Sequence, residues 1–242
     1  MKAMIFAAGL GTRLYPITQS IPKALVEVNH KPLIEIVIQR LIRQGIKEII
    51  VNLHHFSDQV INFIHEKNNF GIEIQFSDEA GQLLDTGGGL KKASWFFDDG
   101  KPFLVHNVDV ISDVDLGQMI TFHSKAGALA TLAVRKRSSS RYLYFDGNNN
   151  LCGWENTKTT ERVMVRPEEN LQQYAFSGIQ VIDPSIFNHI HQTGKFSIID
   201  VYLKLAANFK IQAYDHSDGM WVDVGKPDSL LKAEAVLNKM NL

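Results

Sequence analysis

Hydrophobic residues along the first half of the chain alternate between short unbroken runs and longer stretches with helical spacing. Ala3-Met4-Ile5-Phe6-Ala7-Ala8 is a continuous apolar run ending at glycine, the pattern of a strand buried on both faces. Pro32 opens a helical pattern with Leu33, Ile36, Val37, Ile38, Leu41 and Ile42 at helical spacing, and Gly45 ends it. A second apolar strand follows at residues 49–53. Ser57 is placed to cap a helix carrying Val60, Ile61 and Ile64. Residues 72–76 read as a strand, 86–97 as a helix and 102–105 as another strand.

Strand alternating with helix implies parallel pairing with right-handed crossovers, hence a doubly wound α/β sheet, mostly parallel and Rossmann-like. Beyond Asp109 the pattern loosens into a smaller, β-rich part. A helix is expected at 115–125 and strands at 129–134, 142–145, 151–154, 175–182, 211–214 and 220–224. Asp146-Gly147-Asn148-Asn149-Asn150 reads as a hairpin turn, and Pro227 as the first position of a closing helix. With no repeat or linker-like segment, residues 1–242 read as one domain, a nucleotide-binding half over about 1–110 and a sugar-binding half with the closing helix over about 111–242.

Composition narrows the classes without naming one. Of 242 residues, 45% are hydrophobic and 21% charged, and the net charge of −1 gives no electrostatic reason to expect nucleic acid or an anionic membrane. The single cysteine, Cys152, excludes an intrachain disulfide and reads as a small packed hydrophobe. No signal-peptide pattern or long apolar span is visible, so a cytoplasmic protein, monomeric or a small homo-oligomer, is expected.

The candidate chemistry starts after the first strand. Gly9-Leu10-Gly11-Thr12-Arg13 and then Pro22-Lys23 set exposed backbone N–H groups beside two cations. Glycine lets the main chain approach a phosphate, Arg13 can grip phosphate oxygens bidentately, and Lys23 supplies a point charge. Position 14 is Leu14, where a dinucleotide fingerprint needs glycine, and the segment lacks the Gly-Lys-Ser/Thr of a P-loop. A tight turn with surface cations is the plain alternative. Asp109 and Asp223 each stand just beyond an apolar strand, where parallel sheets place ligand sites, or where an aspartate simply caps the next segment.

Residues 7–14 with Pro16, Thr18 and Pro22-Lys23-Ala24-Leu25 resemble the signature of the sugar-1-phosphate nucleotidyltransferases. Lys31-Pro32-Leu33-Ile34, Asp85-Thr86-Gly87-Gly88, Val105-His106-Asn107-Val108-Asp109, Phe176-Ser177-Gly178-Ile179 and Trp221 through Pro227 continue the resemblance in order. It implies attack by a sugar 1-phosphate on the α-phosphorus of a nucleoside triphosphate, with Mg²⁺ held by Asp109 and Asp223. Arg13, Lys23 and Asp109 would be catalytic. Ala8, Gly9, Gly11, Thr12, Asp85, Thr86, Gly87 and Gly88 would surround the nucleotide. The Gly87-Gly88-Gly89 run is expected to let a substrate approach closely, the alternative being a flexible helix start. Glu79 would touch the base edge or sit in a surface loop. Asn107, Gly178 and Asp200 would face the sugar, Asn107 alternatively stabilising a turn and Asp200 a helix.

Within the family the similarity leans to the uridylyltransferase branch acting on N-acetylmuramate 1-phosphate in peptidoglycan recycling, which favours UTP. Mannose- or heptose-1-phosphate guanylyltransferases, and a non-catalytic nucleotide-sugar sensor, are the alternatives. A nicotinamide enzyme is disfavoured by the failed glycine fingerprint. His54-His55 is read as a turn or ribose contact, Trp95-Phe96-Phe97 as closing a core helix, and Arg135-Lys136-Arg137 as a solvated cluster able to reach a sugar phosphate.

Overall fold

A computed structural model describes residues 1–79, 81–167 and 169–240. The first half runs β1 (Lys2–Phe6), a two-residue hairpin β2 (Glu27–Val28) and β3 (Lys31–Pro32), α1 (Leu33–Arg43), β4 (Glu48–Leu53), α2 (Ser57–Glu66), β5 (Glu73–Asp78), α3 (Asp85–Lys92) and β6 (Phe103–Asn107). The second half runs β7 (Val110–Ser112), α4 (Leu116–Ala126), β8 (Ala130–Arg135), β9 (Arg141–Phe145), β10 (Leu151–Asn156) and β11 (Glu161–Met164). It ends with β12 (Gln172–Ile182), α5 (Ile198–Ala206), β13 (Ile211–Asp215), β14 (Trp221–Asp223) and α6 (Asp228–Met240).

Both halves share one mixed sheet. Its path is β11-β10-β9-β12-β6-β1-β4-β5, with β8 on β12 and β13 on β8. Pairing is parallel from β6 through β1 and β4 to β5. The chain moves from β1 outward to β4 and β5, then returns to β6 on the other side of β1. The crevice beyond Phe6 and Asn107 is therefore a topological switch point, where ligands of α/β sheets bind.

Alternation along the strands divides the core. Ala3 and Ile5 of β1 pack on one face with α1, α2, α4 and α6 residues such as Leu41, Ile64, Met119 and Leu237, while Met4 packs on the other with Leu90 of α3 and Tyr202 of α5. Helices on both faces explain why the first strands are apolar throughout.

The structure departs from the hydrophobic pattern in several places. Ser57 does not cap α2; Phe56 takes that position with φ of 56°, and Ser57 is already helical. The helix expected at 86–97 ends at Lys92 and gives way to a 3₁₀ turn, Ser94–Phe96, in which Trp95 is exposed while Phe96 and Phe97 are buried. The polar stretch after β10 adds β11, antiparallel to β10. The segment 198–206, not anticipated as an element, forms α5, with Ile198, Val201, Tyr202 and Ala206 buried at helical spacing. Cys152 is buried at 1% exposure, and burial pushes its thiol pKa up.

Candidate active site

The segment after β1 coils through 3₁₀ turns at Thr12–Leu14, Ile17–Gln19 and Lys23–Leu25. Gly11 turns the chain at φ of 68°, and a Cβ there would lie 3.1 Å from both the Thr18 methyl carbon and the Lys23 Cβ. Thr18 donates its hydroxyl to the Gly11 carbonyl at 2.8 Å, closing the turn. Gly9 differs, having no atom within 4 Å of its would-be Cβ. Gly11 is thus glycine for the turn, and Gly9 keeps a backbone face open.

That open face lines a cavity of about 370 Å³ with Ala8, Lys23, Glu79, Leu83, Asp85, Thr86, Asn107, Asp109 and Lys195 among its walls. Gly11 and Thr12 support the loop above and do not line it. An adjoining cavity of about 380 Å³ shares Phe6, Asp85, Thr86 and Asn107, and adds Arg141, Trp154, Phe176, Gln180 and Asp200. Gly178 sits beneath Asn107: it has φ of 78°, and a Cβ would come within 2.8 Å of the Asn107 amide nitrogen. It occupies a register shift of β12 against β8, beyond the last β12 residue paired with β9 and before the first paired with β6. Its part is to let Asn107 stand at the junction of the two cavities.

Glu79 is not a surface residue, and both of its carboxylate oxygens already hold a donor from the protein. It is 1% exposed. One carboxylate oxygen accepts from the Asn52 amide at 2.7 Å, and the other from the Leu84 N–H at 2.9 Å. Asn52 in turn accepts from the Ala7 N–H at 2.8 Å, and the Glu79 carbonyl accepts from His54 Nδ1 at 2.7 Å. This chain of bonds ties the signature segment to the loop that brings Leu83 and Asp85 to the cavity. His54 thereby anchors the loop through Nδ1.

The glycine run in α3 also has a different cause from the one expected. A Cβ at Gly87 would meet the Phe196 ring at 2.5 Å, one at Gly88 the Gly194 carbonyl oxygen at 2.3 Å, and one at Gly89 a Glu79 carboxylate oxygen at 2.6 Å. The Gly87 and Gly88 N–H groups both donate to the Phe196 carbonyl. The loop before α5, not a substrate, makes the close approach, so neither Gly87 nor Gly88 is available to a nucleotide. Asp85 and Thr86 do reach both cavities, and the Thr86 hydroxyl oxygen also accepts from the Ile198 N–H at 3.0 Å.

Two strands of three residues bring the acidic groups together. β7 and β14 pair antiparallel with Asp223 opposite Val110, and Val224 N–H donates to the Asp109 carbonyl at 2.8 Å. Lys23 forms an ion pair with Asp109. A Cβ at Gly225 would lie 2.7 Å from an Asp223 carboxylate oxygen and 2.8 Å from an Arg13 guanidinium nitrogen, so Gly225 admits both groups to one spot. Burial raises the Asp223 pKa and the nearby Asp109 charge raises it further, while Lys23, Arg13 and Arg137 oppose the shift. Asp223 Oδ1 is buried with no hydrogen-bond partner. Two adjacent carboxylates, one with an unsatisfied buried oxygen, form a donor set suited to a hard divalent cation. Among the described residues no cluster of three or more metal-ligating side chains forms, so such an ion would complete its shell from phosphate and water.

Arg135 and Arg137 are not the solvated pair their sequence suggested. Arg135 donates to the Ser217 and Gly219 carbonyls, and Arg137 donates to the Phe176 carbonyl while its guanidinium stacks 4.4 Å from the Trp221 ring centre. Burial lowers the Arg137 pKa, and the Asp223 charge counteracts this. Trp221 donates to the Ser177 carbonyl at 3.0 Å, and His216 hydrogen-bonds the Ser177 hydroxyl at 2.7 Å, fixing the strand segment that holds Gly178. Sequence reasoning also missed Asn52, Leu83, Lys195, Arg141 and Trp154. None carries a motif, and only the fold brings them to a shared wall.

The crevice at the switch point, with two neighbouring carboxylates beside Lys23 and Arg13, has the setting of a ligand site in an α/β protein. The chain matches the nucleotidyl transferase family over residues 2–240 and belongs to it. Its relatives include a UTP–glucose-1-phosphate uridylyltransferase of Synechocystis, 30% identical over 99% of this chain and 64% of that protein. A mannose-1-phosphate guanyltransferase of Yarrowia lipolytica is 31% identical over 96% of this chain and 62% of that protein. The chain thus spans a little under two thirds of the length of these relatives. A UDP-glucose pyrophosphorylase solved with UDP-glucose shares the fold over 99% of this chain and 98% of its own, with a TM-score of 0.77 at 18% identity.

Proposed function

We propose that the protein transfers a nucleotidyl group from a nucleoside triphosphate to a sugar 1-phosphate and releases pyrophosphate. The observation that carries this reading is the convergence of Asp109, Asp223, Lys23 and Arg13 beside two joined cavities. An acceptor phosphate oxygen forms a bond to the α-phosphorus as the bond to the bridging oxygen breaks. No covalent enzyme intermediate is needed, so the protein's task is to position two polyanions and neutralise their charge. Lys23 and Arg13 stand where they can take charge on the triphosphate, and the backbone at Ala8 and Gly9 leaves room for the nucleotide. Asp109 and Asp223 would hold Mg²⁺, which when bound neutralises phosphate oxygens and favours the displacement. Asn107 faces the junction and Asp200 the sugar side.

UTP with N-acetylmuramate 1-phosphate is the favoured pair, resting on the motifs shared with that uridylyltransferase branch. A cytoplasmic setting, where nucleoside triphosphates are made, suits the reaction. The guanylyl- and uridylyl-transferring relatives make GTP with mannose 1-phosphate the pair to compare. The four charged groups stand together, which favours an enzyme over a nucleotide-sugar sensor. The test is pyrophosphate release across a matrix of nucleoside triphosphates and sugar 1-phosphates with Mg²⁺. Release with UTP and N-acetylmuramate 1-phosphate is expected. Release only with another pair overturns the substrate, and release with no pair overturns the reaction.

A further inference from the structure

We infer that Arg137 binds the phosphate of the acceptor and holds it between the sugar cavity and the paired carboxylates. This rests on the nucleotidyl-transfer reading and adds a residue to that site.

The reaction sets two polyanions against each other, and the cations assigned so far serve one of them. Lys23 pairs with Asp109 and Arg13 stands beside Asp223, both carried by the segment that follows β1 on the nucleotide side. The acceptor phosphate arrives from the other side, since its sugar belongs in the second cavity. Positive charge placed there reduces repulsion and orients the attacking oxygen.

Three contacts fix where the Arg137 guanidinium stands. It lies over the Trp221 ring, 4.4 Å from its centre. Trp221 and Asp223 flank Val222 on β14, so ring and carboxylate project from the same face of that strand. Arg137 Nη2 donates to the carbonyl of Phe176, whose residue lines the second cavity. Two positions on, Gly178 supports Asn107 at the junction of the cavities. Burial lowers the Arg137 pKa and the Asp223 charge leads the opposition to it, which again makes the two groups neighbours. The guanidinium therefore stands between the wall of the sugar cavity and Asp223.

Its contacts hold the guanidinium without neutralising it. Nη1 donates to the Ser138 carbonyl at 3.3 Å and Nη2 to Phe176 at 3.1 Å, while Nε is buried with no partner. Each terminal nitrogen thus keeps a second N–H, the fork that grips two phosphate oxygens. Among the described residues no carboxylate forms an ion pair with Arg137. Arg135, over the same ring at 5.8 Å, is instead held by the Ser217 and Gly219 carbonyls, which border a different cavity.

Steady-state pyrophosphate release with UTP and N-acetylmuramate 1-phosphate, and with GTP and mannose 1-phosphate, tests the assignment in Arg137→Ala and Arg137→Lys. For whichever pair the wild type uses, Arg137→Ala should lower kcat/KM of the sugar 1-phosphate by about ten- to hundredfold, the scale of one charge-assisted hydrogen bond, with nucleotide KM held within about twofold. Arg137→Lys keeps the charge without the fork and should recover part of the loss; it carries the comparison if Arg137→Ala does not fold. Added guanidinium ion should speed Arg137→Ala and not the wild type, an effect that a merely structural arginine would not give. Equal rises in both KM values without that rescue make Arg137 a support for the β12 segment and overturn the inference. A raised Mg²⁺ requirement at unchanged acceptor KM also overturns it, since Arg137 would then act through Asp223. Both results leave nucleotidyl transfer standing, whereas no release by the wild type with any pair overturns the reaction and the inference together.

Discussion

Replacing Glu79 separates a residue that reads the base from one that holds the loops around it. The structure assigns it the second part, since both carboxylate oxygens are occupied, by the Asn52 amide at 2.7 Å and the Leu84 N–H at 2.9 Å, at 1% exposure. Glu79→Gln keeps the shape but sets an NH₂ group against one of those donors. Flipping Asn52 does not relieve the conflict, because its oxygen already accepts from Ala7 N–H. One charge-assisted bond is lost, a cost of about 1.5–3 kcal/mol. Glu79→Ala leaves two buried donors without acceptors, about 1–3 kcal/mol each, offset in part because a buried carboxylate no longer has to be desolvated. For a domain of this size each kcal/mol lowers Tm by about 2–4 °C. Thermal unfolding followed by circular dichroism should therefore show Glu79→Gln lower by about 4–8 °C at a cost near 2 kcal/mol, with Glu79→Ala lower still. The nucleotide KM should rise in both, because Leu83 and Asp85 ride on the loosened loop, while kcat at saturation is largely kept. If Glu79→Gln melts with the wild type and raises the nucleotide KM tenfold, the carboxylate touches the base and the loop-anchor account is wrong.

Asp223→Asn should leave stability unchanged or raise it, since Oδ1 has no protein partner and the like charge of Asp109 is relieved; turnover should fall by about 10² or more, and a Tm drop beyond a few degrees would contradict the assignment. Chelating divalent cations should stop pyrophosphate release and leave the melting curve of the ligand-free protein in place; sustained turnover in excess chelator would remove the metal from the reading. Gly88→Ala should destabilise more than Gly87→Ala, because its Cβ meets a backbone oxygen at 2.3 Å rather than chiefly a movable ring, whereas Gly9→Ala, with nothing within 4 Å, should melt like the wild type and show its effect in nucleotide KM. Burial and the Arg40 charge lower the His106 pKa to about 3, and burial and the Arg135 charge lower that of His216 to about 4. Both lie below the unfolded value near 6.5, so the stability from these neutral rings is complete above that pH and is lost as pH falls. Denaturant unfolding at pH 5 should show a loss of about 2 kcal/mol per ring relative to pH 7.5, and a flat profile over that window would refute the burial of both.

What the sequence disclosed and what it hid follow from the range of the interactions concerned. The parallel first half was legible because each strand is buried on both faces and each helix on one, so burial writes itself into local periodicity. α5 went unread although its buried Ile198, Val201, Tyr202 and Ala206 fall at helical spacing; at nine residues it offers little more than two turns over which that period can show. β7 and β14 were too short for any period to show, though 220–224 was marked by its motif. Their pairing is what brings Asp223 to Asp109, a convergence that residue spacing alone could not state. Arg135 and Arg137 misled for a related reason. Clustered charge ordinarily means solvent, but backbone carbonyls and the Trp221 ring can satisfy a guanidinium, and those partners lie some 40 to 85 positions away.

The glycines show how far one residue type can carry an inference. Gly9, Gly11, Gly87, Gly88 and Gly225 all lie in motifs near the site, and absence of a side chain is the shared cue. The structure gives that absence separate causes: an open cavity wall at Gly9, a left-handed turn at Gly11, the loop before α5 at Gly87 and Gly88, and room for Arg13 beside Asp223 at Gly225. Only the first is a vacancy that a ligand can use. The packing of α3 on the loop before α5 nevertheless matters to the site, because Asp85 and Thr86 line both cavities and Thr86 is bonded to the first residue of α5. A substrate seated at the sugar side, against α5, would press on the same segment that borders the nucleotide. Coupling between the two substrates therefore has a physical route through Thr86, and Thr86→Val, which keeps the shape and removes the acceptor, should weaken the dependence of nucleotide KM on bound acceptor. If that dependence is the same in Thr86→Val and wild type, the two cavities communicate through the substrates alone.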